Sequence, residues 1–172
     1  MLAIVLTAFA AFQVATPAPT RIVAAAAPAT TPPPVSTAAP SRDTPSDEYV
    51  ARARRALSEG NFEVARREFV IAAALDRDAG RLPVAASFGL SRVLFSQDNS
   101  RDAAQVLNDL ARDAADRGDD NTEACALVDA LWLNRDAKQW TKAERDAARL
   151  MELRKRNTLT AETRKLIADR TS

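Results

Sequence analysis

Eight of the chain's nine prolines fall between Thr16 and Pro45, and this crowding decides which part of the chain can fold. Proline removes backbone donors, and the Ala, Thr and Ser around it bury little surface. The stretch cannot build a core and is expected to be an extended, disordered tether. Ahead of it, residues 2–15 (LAIVLTAFAAFQVA) form an uncharged apolar run with no Lys or Arg before it. That length suits the core of a secretory signal and falls short of the roughly 20 apolar residues a membrane span needs. The sequence therefore predicts a signal peptide over 1–18, a Pro/Ala/Thr-rich tether over 19–45 and a folded domain over 46–172. The mature chain is expected in the periplasm or secreted, with no stable membrane span.

Charge and residue types then narrow the function. Arg21, Arg42 and Asp43 are the only charges before Ser46, which leaves 22 of the 24 basic and 22 of the 23 acidic side chains in the domain. No net field is left to hold a nucleic-acid backbone, so no nucleic acid is expected as partner. The chain has no histidine and a single cysteine, Cys125. This removes internal disulfides, His-based triads and Cys/His metal cages, and no cofactor or metal is expected. Carboxylate chemistry is the catalytic option that survives, and it needs two carboxyl groups of opposed pKa in one cleft. The acidic residues instead fall at expected helix starts, loops and polar faces, so the protein is read as not an enzyme.

From Ser46 onward, Ala, Leu, Arg, Asp and Glu dominate, the chain has only four glycines, and the pattern is helical. Thr44 and Pro45 form a helix start, with Asp47 and Glu48 near the positive end. Tyr49, Ala53, Ala56 and Leu57 then share one side of a helix. Gly60 supplies a stop and Asn61 a cap for a second helix carrying Phe62, Ala65, Phe69, Ala72 and Leu75. Pro83 opens a third helix (Val84, Phe88, Leu90, Leu94, Phe95), and Asp98-Asn99 break it. A fourth (Ala103, Leu107, Leu110, Ala114) ends at Gly118. Asp120 or Asn121 is expected to cap a fifth (Ala124, Leu127, Val128, Leu131). Thr141 with Glu144 has capping-box spacing for a sixth, which carries Ala143, Ala147, Leu150, Met151 and Leu153. Thr160 caps a last short helix with Leu166 and Ile167, placed to cover the exposed end of the final pair.

The first pair, with Tyr49, Ala53, Gly60, Phe62, Ala65, Phe69 and Ala72 in position, resembles the tetratricopeptide repeat. Arg52, Ala56 and Arg77 depart from that pattern. The central alanines Ala65, Ala103 and Ala143 set repeats of 38 and 40 residues, longer than the roughly 34 usual. The fold implied is all-α: a right-handed array of three antiparallel helix pairs, about 46–79, 84–117 and 124–157, with a C-terminal capping helix at 160–170. The resemblance further implies a concave groove lined by the first helix of each pair, which receives a protein or peptide. Carried onto this chain, the groove positions are Val50, Arg54, Leu57 and Ser58, then Phe88, Arg92, Phe95 and Ser96, then Cys125, Val128, Trp132, Arg135 and Asp136. The three arginines would suit an acidic partner, since guanidinium presents a planar pair of donors to a carboxylate; exposed arginines on a solvated face are the plainer reading. Trp140 is read as core, Trp132 as either core or contact, and Cys125 as a packing residue, with a free thiol that pairs with a partner after export as the alternative. The expected function is a non-catalytic protein- or peptide-binding module of the cell envelope. The alternatives are a structural component packing by its ends, or a wall-polymer hydrolase. The basic Arg154-Lys155-Arg156 and the acidic Asp109, Asp113, Asp116, Asp119 and Asp120 are read as solvated faces.

Overall fold

The computed structural model describes residues 44–171, and the expected signal peptide lies outside them, as does the expected tether but for its last two residues. All regular elements among the described residues are helices: α1 (Pro45–Ser58), α2 (Phe62–Asp78), α3 (Val84–Ser96), α4 (Ser100–Asp116), α5 (Asp120–Asp136), α6 (Trp140–Arg154) and α7 (Ala161–Thr171). Each packs on its neighbour in sequence, α1 also meets α3, and α7 lies on both α5 and α6.

One turn recurs in the four three-residue links between helices. The links Glu59–Asn61, Gln97–Asn99, Arg117–Asp119 and Ala137–Gln139 each put their middle residue at positive φ: Gly60 +76°, Asp98 +59°, Gly118 +71° and Lys138 +58°. The amide of the third residue then donates back over the helix end, Asn61 to Ala56 O (2.8 Å), Asn99 to Leu94 O (3.0 Å), Asp119 to Ala114 O (3.0 Å) and Gln139 to Asn134 O (2.8 Å). This closure satisfies carbonyls that a helix end leaves orphaned. The same third residue caps the next helix. Asn61, Asn99 and Asp119 accept from the amides of Val64, Asp102 and Thr122. Gln139 makes no such bond, so α6 starts without a side-chain cap. Gly60 and Gly118 stand where the sequence required a stop. Asp98 and Lys138 hold the same conformation with a Cβ, at a cost of about 1–2 kcal/mol each.

Hydrogen bonds between helices fix the antiparallel pairing. Ser46 at the start of α1 donates to Asp76 at the end of α2 (2.7 Å), and Arg52 Nε meets Glu68 (3.0 Å). Asn134 late in α5 donates to Asp146 early in α6 (2.7 Å), while Arg149 grips Glu123 with two donors (2.5 and 3.0 Å). The core between them mixes small and large residues. Ala53, Ala65, Ala72, Ala86, Ala103 and Ala124 are fully buried, so backbones approach closely there, and Phe69, Leu107, Leu110, Leu131, Leu150 and Leu153 fill the remaining space.

Several expectations are corrected. The cap of α5 is Asp119, and Asp120 is its first residue, buried and bonded to Thr158 and Arg156. The cap position of α6 is Gln139, so the Thr141–Glu144 spacing marks no helix start. Trp140 is 60% exposed rather than core. It is the first residue of α6, directly after the link Ala137–Gln139 and one turn before the buried Ala143. Thr44 caps α1 and Pro45 opens it, as the sequence predicts, so the tether's expected end at 45 overlaps the helix by one residue. Thr160 does cap α7, accepting from Thr163 N (3.2 Å), and Ile167 is fully buried against α5 and α6.

Candidate binding face

In the register set by Ala65, Ala103 and Ala143, the first helices α1, α3 and α5 align Arg54, Arg92 and Trp132 in one row and Leu57, Phe95 and Arg135 in the next. The structure joins the two rows at one point. Phe95 and Trp132 meet edge to face, with centroids 5.0 Å apart and planes at 68°. Phe95 keeps 39% and Trp132 47% of its surface exposed, so the pair is packed on itself and open to solvent. Large aromatics gain most by burial, and such a pair left open is the informative kind of exposure.

The charged members of the rows are also uncommitted. Arg54, Arg92 and Arg135 are exposed, and none forms a salt bridge with a described residue. Arg54 is near enough to Asp47 to help hold its carboxyl low, although the bonds from the Thr44 amide and hydroxyl do most of that. Asp129, one turn before Trp132, is exposed on α5.

Other expected groove positions serve the fold. Val50 and Val128 are buried, at 5% and 2%, and belong to the core rather than a groove wall. Leu57 and Phe88 are half-buried and pack against the core clusters. The hydroxyls of Ser58 and Ser96 donate to carbonyls of their own helices, at Arg55 and Arg92. Asp136 accepts from Ser100 at the start of α4. Cys125 is half-buried; burial pushes its thiol up, opposed by a hydrogen bond with Thr163 of α7, and the neutral thiol is a packing group.

The sequence did not reveal that many carboxylates point inward. Glu68, Asp76, Asp120, Glu123 and Asp146 are all buried, and each meets an Arg, Ser, Thr or Asn from another helix or link. Part of the acidic cluster is thereby used internally: Asp119 caps α5, Asp120 takes Arg156 out of the basic cluster, and Asp109 pairs with Arg112. Among the described residues, no group of three or more Cys, Asp or Glu is placed to hold a metal ion, and no helix is long and apolar enough to cross a membrane. The exposed Phe95–Trp132 pair stands one helical turn from Arg92 and Arg135, neither of which forms a salt bridge with a described residue. Set against protein-family models, curated proteins and solved structures, the chain finds no match in any of the three.

Proposed function

We propose that this chain is a non-catalytic binding module of the cell envelope, periplasmic or secreted, built as a right-handed tetratricopeptide-like array. On this reading it takes an acidic peptide segment with an apolar anchor across α1, α3 and α5. The observation that carries the reading is the open Phe95–Trp132 pair, contributed by two successive first helices. Trp and Arg dominate the energetics of binding surfaces, and an aromatic pair flanked by Arg92 and Arg135 supplies both. The repeated turn, the contact of α1 with α3 and of α5 with α7, and the small residues between helices support the array. The apolar run at 2–15 supports export.

Trp132 supplies its own test, since Trp140 is the only other tryptophan. In a Trp140→Phe background, a synthetic peptide with a Leu or Phe among Asp and Glu should shift Trp132 emission to the blue and saturate. A peptide with Lys in place of the acids should not. Arg92→Glu with Arg135→Glu should weaken the acidic peptide at least ~10-fold, as expected for losing charge-assisted contacts. A response equal for both peptides, or unchanged in the double variant, would overturn the reading.

A further inference from the structure

The second helices carry a separate feature on the other side of α5. Helices α4 and α6 both pack on α5 and leave between them a cavity of about 410 Å³. That volume lies within the range of small-molecule sites. Its apolar lining comes from Ala111, Ala115 and Leu127. Its walls are polar: Gln105, Asn108 and Arg112 from α4 at helical spacing, with Lys142, Arg145 and Arg149 from α6 facing them in the same way.

Accounting for each charge leaves a surplus. Arg149 is saturated by Glu123 and also touches Glu152 at 3.3 Å. Arg112 is paired with Asp109. Among the described residues, Lys142 reaches only the side-chain oxygen of Gln105, at 3.5 Å, and Arg145 has no salt bridge. The remaining acid on the lining, Asp146, is 5% exposed and takes a hydrogen bond from Asn134. Burial pushes its carboxyl up, towards the neutral form, against the pull of Asn134, Arg145 and Lys142.

We propose that this cavity is a second binding site, for a small oxyanion ligand, a carboxylate or phosphate compound, held by Lys142 and Arg145 against the apolar lining. It is independent of the Phe95–Trp132 face, which belongs to the first helices. Two cations three residues apart on one helix face present donors to the two oxygens of such a group, while the Ala/Leu lining accepts a short carbon skeleton.

The test is calorimetric titration of the full chain with succinate and, separately, inorganic phosphate, each against chloride of matched ionic strength. Succinamide serves as the neutral control. Saturable binding of either anion is expected, with at least a 10-fold rise in Kd for Lys142→Gln with Arg145→Gln and no change for Trp132→Ala. Both substituted side chains stand on the cavity wall outside the core, so circular dichroism should show unaltered helix content. Tighter succinate names a carboxylate carried on carbon, and tighter phosphate names the inorganic or ester source. Neither anion binding above chloride, succinamide binding as well as succinate, or the double variant retaining full affinity would overturn the proposal. Failure of the acidic-peptide test at Trp132 would leave it standing.

Discussion

At the scale of the residue, one position shows how a single atom sets the spacing of two helices. Gly89 lies mid-α3, where a Cβ would stand 2.2 Å from Cε1 and 2.3 Å from Cζ of Phe69. Phe69 is 1% exposed and anchors the core shared by α1, α2 and α3, so its ring has little room to withdraw. Replacing glycine by alanine within a helix normally gains about 1 kcal/mol of helix propensity. Overpacking a filled core costs about 1–3 kcal/mol, and contacts this short belong at its upper end. Gly89→Ala should therefore lower stability despite the better helix former, read as a fall in the urea midpoint at unchanged slope. Adding Phe69→Leu should recover part of the loss; a variant as stable as the parent would show that the ring moves freely.

At the scale of the element, helix existence was readable from sequence, while helix starts and the inward charges were less so. Apolar spacing and the stops at Gly60 and Gly118 determine which segments are helical, and those signals are local. The start of α5 went to Asp119 because the closure from its amide to Ala114 O places that residue, and not Asp120, at the cap. The start of α6 was missed because Gln139 takes the cap position by that same turn geometry, without the residue type that marks a cap. Inward carboxylates were hidden for another reason: Asp146 differs from a solvated acid through its burial and its bond from Asn134, twelve residues earlier on another helix. That pair yields a prediction for the α5–α6 seam. Burial holds the folded carboxyl above its ordinary 3.8, so folding favours the protonated form. Its contribution is full below 3.8 and is lost as pH rises through the folded value. Asp146→Asn removes this penalty and keeps an acceptor for Asn134. The variant should be more stable than the parent at pH 7, with the gap narrowing as pH falls towards 3.8. A gap constant with pH would assign the effect to packing alone.

At the scale of the whole molecule, contacts run almost entirely between neighbours, so stability should be transmitted along the described domain rather than shared equally. Helices α1 and α2 with α3 form one core cluster, and α5, α6 and α7 contribute most of another, with α4 between. The end beyond α6 is covered by α7, whose Ile167 is fully buried and whose outward residues Glu162, Arg164, Lys165 and Asp169 are polar. Ile167→Ala should cost about 2–5 kcal/mol, the usual range for emptying a filled core site. The loss should not be uniform. In native-state hydrogen exchange, amides of α6 and the part of α5 beneath α7 should lose protection first, α4 less, and α1 and α2 least, because each step away from Ile167 adds an intact interface. An equal loss across α1 to α6 would mean that the domain unfolds as one cooperative unit, and that its repeats are a pattern of sequence and turn geometry without independent energetic meaning.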